Sequence, residues 1–227
     1  MRKSKHYYLR KTHRWISVFI GVQILMWTAS GIYFSWTDID EIHGDQFLSG
    51  TSQTTRLSQL AIRDSDLQVA ELEVRFIDER PYLWVNESTL IDPESGEEKP
   101  GVSKDEAKRI ARRHIKGEYD VTGVSRLTEV GPHHEYRGRP LPVWVVSFEG
   151  LQELTAYVAE RDGSFQIVRH QSWRIFDFLW MLHTMDYQGR DDFNNNLLRF
   201  FSLLALFIVL SGFVLFYITR RKRPQSV

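Results

Sequence analysis

Charged residues are absent from Trp15 to Trp36, and between Leu197 and Ile218 the only one is Arg199. Each run is about 22 residues long, which at roughly 1.5 Å rise per residue makes about 33 Å of helix, enough to cross a hydrocarbon core. The pattern predicts two transmembrane helices, over 15–36 and 197–219. Between them apolar and polar positions alternate in short stretches, the period of strands with one face buried.

The small residues Ala29, Ser30 and Gly31 raise the alternative of a cleaved signal peptide. The apolar run is too long for a signal core and continues through Ile32, Tyr33, Phe34 and Trp36, so an uncleaved anchor is expected. Arg2, Lys3, Lys5, Arg10, Lys11 and Arg14 precede the first run, and Arg220, Arg221, Lys222 and Arg223 follow the second. Positive charge marks the cytoplasmic side, which assigns residues 1–14 and 220–227 to the cytoplasm and 37–196 to the outer face.

The outer segment repeats a motif. RPYLWV (80–85) followed by TLIDPESGE (89–97) is echoed by RPLPVWVV (139–146) followed by TAYVAERDGSF (155–165). In both, an alternating apolar stretch leads to a second strand ending in a D-x-x-S-G or R-D-G turn, which is hairpin chemistry. VAELEVRFI (69–77) and VTGVSRLTEV (121–130) read as leading strands, and SFQIVRH (164–170) as the strand closing the second sheet. VSKDEAKRIARRHIKG (102–117) reads as a helix, with Ser103 and Glu106 forming a capping box and Gly117 placed as a C-cap. TTRLSQLAI (54–62) is its weaker counterpart in the first copy. Each repeat, about 54–100 and 102–171, thus reads as a helix plus a meander of about three strands, giving two small tandem domains or one fused sheet.

Composition narrows the chemistry. Ten of the 29 Lys and Arg residues lie in the flanks and Arg199 in the second run, leaving 18 against all 29 acidic groups, an outer segment near −11. Such a surface disfavours nucleic acid. With no cysteine, thiol catalysis, thiolate metal sites and iron–sulfur clusters are excluded. No Ser-His-Asp elbow, P-loop, Rossmann glycine pattern or H-E-x-x-H motif occurs.

Two clusters have plain structural readings. His133, His134 and Glu135 are consecutive, and neighbours on a strand point apart, so a shared metal is not expected there. Asp191, Asp192 and Asn194 to Asn196 fit capping of the second span, with no calcium-loop signature.

Two histidines stand at the membrane. His13 lies two residues before the first run, on an arc of about 80° with Ser17, Gly21, Thr28, Gly31 and Ser35, a stripe of small or weakly polar positions that would allow close approach of a helix or a flat cofactor. SWRIFDFLWMLHTM (172–185), within an interfacial segment 172–187, reads as a helix at the outer membrane surface. Arg174, Asp177, Met181 and Thr184 share one side of it, and His183 falls on the other. By position alone, both are ordinary border residues of a membrane helix.

The helix SKDEAKRIA, the strand PVWVVSF, the strand TAYV and the DGS turn resemble a PepSY domain. THRW before the first span and WMLH before the second resemble the PepSY-associated transmembrane family, and the likeness covers nearly the whole chain. It implies a membrane α+β fold, two transmembrane helices flanking a periplasmic PepSY-like α+β domain in a bacterial inner membrane. Relatives include iron-siderophore reductases that pass electrons through b-type haem held by membrane histidines. The larger reductases generally carry four spans, and this chain has two. The resemblance therefore implies His13 and His183 as haem ligands, one haem per leaflet, each completed by a second copy or a larger membrane complex. Two other classes stay open: a non-catalytic anchored module that binds a periplasmic or membrane partner, and an accessory subunit that stabilises a transporter or redox complex through the small-residue stripe.

Overall fold

The computed structural model describes residues 5–50, 53–56, 60, 68–150 and 152–220, arranged as two units: a helical unit, up to Thr37 and from Phe176 onward, and a sheet unit, Asp38–Ile175.

In the helical unit, α1 (Lys5–Trp36) and α5 (Asn196–Arg220) are the two apolar helices long enough to cross a membrane. α1 begins ten residues before the apolar run. Lys, Arg and Leu are good helix formers, so hydrophobicity marks where the helix enters lipid and not where it starts. His13 meets Ser211, and Phe19 stacks on Phe201 at 5.8 Å, so the two helices run antiparallel. The start of α1 and the end of α5 at Arg220 therefore lie at the same end of the pair. Asn195 caps α5, its side-chain oxygen accepting from the Leu198 N–H at 2.8 Å, as the Asn run predicts.

The face of α1 that packs is rotated from the expected stripe. Ile20 and Ser30 are buried, whereas Thr28 and Ser35 are exposed and bond back to the carbonyls of Ile24 and Ile32. A Cβ added at Gly21 or Gly31 would meet nothing within 4 Å. The contact falls on Ile20 and Ser30, and Thr28 and Ser35 are left on the exposed side.

In the sheet unit, a capped turn of helix, α2 (Ile39–His43), leads into a short 3-10 turn (Asp45–Phe47). Four strands follow in simple meander order: β1 (Leu72–Ile77), β2 (Arg80–Val85), β3 (Thr89–Ile91) and β4 (Glu98–Lys99). After α3 (Lys104–His114) a second meander is built from β5 (Val121–Leu127), β6 (Val143–Phe148), β7 (Thr155–Ala159) and β8 (Phe165–Arg169). All pairings are antiparallel, with Trp84 opposite Glu73 and Trp144 opposite Arg126. Each meander has four strands: the second is closed by β8 as expected, and the first gains β4 because TLIDPESGE turns back on itself. Asp92 accepts from the N–H groups of Glu94 and Ser95, and the chain returns as β4. The predicted helix over 54–62 falls largely outside the described residues.

Neither tandem domains nor one fused sheet results. The two sheets are separate, yet Ile77, Tyr82, Trp84 and Leu90 of the first share a single core with Val146, Phe148, Ala156, Val158 and Val168 of the second. α3 lies in that core through Ala107, Ile110 and Ala111. Its capping box forms as predicted, but the helix ends at His114, with Ile115 as C-cap, so Gly117 lies beyond the cap. Ile115 is 5% exposed: burying an apolar side chain, worth about 2 kcal/mol, outweighs continuing the helix to the glycine. Gly163 closes the β7–β8 turn at φ +72, and a Cβ there would stand 2.9 Å from Val102 and 3.2 Å from Ile77. Only a bare α-carbon fits both the turn and the core beneath it.

On the opposite face of the second sheet, Tyr136 stacks on Tyr157 at 4.7 Å over Val143. The last helix, α4 (Gln171–Thr184), begins in the sheet unit, and from Phe176 it belongs to the helical unit.

Candidate functional site

The helical unit brings each membrane histidine onto a serine of another helix. His13 of α1 has its Nδ1 2.7 Å from the Oγ of Ser211 in α5. His183 of α4 has its Nδ1 2.7 Å from the Oγ of Ser30 in α1. Both imidazoles are half-buried, and the serines are 2% and 6% exposed for Ser30 and Ser211. Each serine also donates within its own helix, Ser30 to the Met26 carbonyl at 2.8 Å and Ser211 to the Ile208 carbonyl at 2.9 Å.

His183 is held further. The Trp27 indole N–H donates to its carbonyl at 2.8 Å, and its ring meets the edge of Phe34 at 5.5 Å. Phe34 packs on Phe176 and Trp180, which stack on each other, so one side of the imidazole is walled by aromatic rings. Such walls exclude water and lower the local dielectric.

The expected depth of His183 needs adjustment. Ser30 lies six positions before Trp36, so the imidazole sits about 9 Å along α1 from the end of the apolar run, inside its border. Nor is the polar side of α4 turned to water. Asp177 is buried against Arg190, whose Nη1 donates at 2.5 Å, and the Thr184 carbonyl accepts from Asn195. The loop from Met185 to Asn195 folds back over that side. Asp186 fixes the fold: burial raises its carboxyl, but N–H groups of Asp192, Gly189, Gln188 and Asp191 outweigh this and hold it below the usual range.

His13 and His183 do not meet. Their serine and α1 positions are 17 residues apart on one helix, about 26 Å by rise, far more than one iron can bridge. They mark two separate places.

Neither His13 nor His183 has a partner on Nε2 among the described residues. A metal-ligating histidine needs this arrangement, one nitrogen oriented by a hydrogen bond and the other open. The sequence stripe identified His13 but not Ser211 or Ser30, which stand 198 and 153 positions from their histidines. The available signal was local: Ser211 is one of only two serines within the second apolar run.

The 131–140 loop has a structural role. Both Glu135 oxygens are taken, one by the Tyr157 hydroxyl at 2.6 Å and one by Arg174 Nε at 2.6 Å, while His134 Nδ1 accepts from the Tyr136 N–H. Among the described residues no group of three or more His, Asp or Glu side chains is placed to hold a bare metal ion.

Comparison with curated proteins and with solved structures finds no match. A family model does match, over residues 10–226, and takes in both apolar helices together with the whole sheet unit. This protein is a membrane protein belonging to the PepSY-associated TM region family.

Proposed function

We propose that this protein is a haem-binding electron-transfer subunit of a ferric or siderophore reductase-like system, in which His13 and His183 would each hold one b-type haem. The observation that carries the reading is the matched pairing of each imidazole Nδ1 with a buried serine, which leaves Nε2 as the coordinating atom at both places. The residues fit half of each site. One chain supplies a single imidazole per haem, so a second copy or a larger membrane complex supplies the other ligand.

Haem, when bound, supplies a one-electron iron couple whose potential follows its axial ligands and surroundings. The chain's own part is positional. Trp27 and Ser30 hold the end of α4 against α1, and Phe34, Phe176 and Trp180 keep water from His183. In this reading the start of α1 and the end of α5 face the cytoplasm of a bacterial inner membrane and the sheet unit faces the periplasm, which the basic flanks support.

The test is an oxidised and reduced visible spectrum of the detergent-purified protein from haem-replete cells, with His13→Ala and His183→Ala alongside. A Soret band with sharp reduced α and β bands, weakened by either substitution, is expected. A featureless spectrum would sink the haem assignment.

A second reading, an anchored module that binds a periplasmic or membrane partner without redox chemistry, is favoured by one feature of the sheet unit. A cleft of about 410 Å³ is lined by Glu73, Arg75, Trp84, Pro142, Arg161 and Asp162, a mixed charged and aromatic surface suited to a polypeptide. Full function in a chain lacking both histidines would select it.

A further inference from the structure

A serine hydroxyl has one proton, and a backbone carbonyl can only accept. Ser30 Oγ lies 2.8 Å from the Met26 carbonyl oxygen, and Ser211 Oγ lies 2.9 Å from the Ile208 carbonyl oxygen. These separations suit a hydroxyl proton lying between the two oxygens. Each serine then has only lone pairs to offer its histidine, so at 2.7 Å the imidazole must be the donor, through Nδ1–H. A neutral imidazole with its proton on Nδ1 carries its lone pair on Nε2. The same chain of reasoning holds at both histidines, although the serines come from different helices.

We infer that Ser30 and Ser211 are positioning residues that fix His183 and His13 in the Nδ1–H form, so that each Nε2 is a ready metal ligand. For the identity of the metal centre this rests on the haem reading above; the tautomer itself follows from the hydrogen bonds. His183 is the more tightly determined of the two. Ser30 is nearly inaccessible, and the Trp27 bond to the His183 carbonyl fixes the backbone from which the ring projects. Removing a hydroxyl frees Nδ1 from its acceptor, so either nitrogen can then carry the proton.

The full-length chain, labelled with ¹⁵N-histidine and reconstituted without haem, is the sample for the first measurement, with signals assigned by His13→Ala and His183→Ala. One-bond nitrogen–proton coupling is expected on Nδ1 and absent on Nε2 for both residues. Ser30→Ala should convert the His183 signals to a mixture and leave His13 unchanged, and Ser211→Ala should do the reverse. In a haem titration of the same proteins, each alanine variant should bind about 10- to 100-fold more weakly with a shifted reduction potential. Ser30→Thr, which keeps the hydroxyl, should restore both.

A proton on Nε2 in the parent protein would overturn the inference whatever the spectrum. Unchanged haem affinity and potential in Ser30→Ala and Ser211→Ala would overturn it as well. A parent protein that shows the Nδ1–H form and takes up no haem would instead overturn the haem reading and leave the tautomer assignment standing.

Discussion

Arg174, in the first turn of α4, grips Glu135 with two nitrogens, Nε on one carboxylate oxygen at 2.6 Å and Nη2 on the other at 3.1 Å. Tyr157 donates to the same carboxylate, and burial first, then that bond, pushes its phenol well above the usual range. The group is a mostly covered acid between a strand, a loop and a helix.

Glu135→Gln keeps the volume but leaves Arg174 without its fork and Tyr157 without a charged acceptor. Loss of about 2 kcal/mol is expected, below the figure for a fully buried pair because both side chains retain some solvent. Thermal unfolding of the full chain in detergent would measure it. Combining the change with Arg174→Ala should cost less than the two separately, and strict additivity would show that the fork contributes nothing.

His170 gives the sheet unit an acid sensitivity. Its ring is 1% exposed, with Nε2 3.1 Å from the Ile42 carbonyl, and Nδ1 is buried with no hydrogen-bond partner among the described residues. Burial pushes its pKa below the ordinary value, Arg174 and Arg169 push the same way, and the carbonyls of Ile42 and Glu41 oppose this incompletely. The unfolded chain therefore binds this proton first, so stability is full above about pH 6.5 and falls as pH drops from there toward the folded value. His170→Phe, which can pack against Phe47 without titrating, should flatten the melting temperature between pH 8 and 5. Equal slopes for the two proteins would show that other groups set the acid response.

Gly21→Leu tests whether the open face of α1 serves an assembly. A Cβ there meets nothing within the chain, so the isolated protein should keep its stability within about 0.5 kcal/mol. Any loss of oligomer or co-purifying subunit on native gels would then report a surface contact. A lower melting temperature in the monomer would mean that α1 packs differently.

What could be read from the chain alone depended on range. The capping box of Ser103 and Glu106, the Asp92 and Asp162 turns and both apolar helices follow from residues a few positions apart, and all are present. The packed face of α1 was misread by a fraction of a turn. Counting polar positions favoured Thr28 and Ser35, whereas contact went to Ile20, Trp27 and Ser30, whose surroundings are supplied by α4 and α5. His170 lay at the end of a recognised strand with nothing local to show that the Ile42 carbonyl would meet it. Glu135 reads locally as one of three consecutive polar residues with no metal expected among them, and its role was not legible because its partners, Tyr157 and Arg174, come 22 and 39 positions later.

The antiparallel pairing of α1 with α5 also sets an order of events during synthesis. His13 leaves the ribosome 198 residues before Ser211, which at ~5 to 20 residues per second is a wait of about 10 to 40 s. Through that interval the nascent anchor holds its histidine without its hydrogen-bond acceptor, while the intervening chain, including Ser30 and then His183, is made. The place at Ser30 can thus form first and the one at Ser211 last, so a ribosome stalled before α5 leaves a chain with one of its two imidazoles set and the other still free to change its proton.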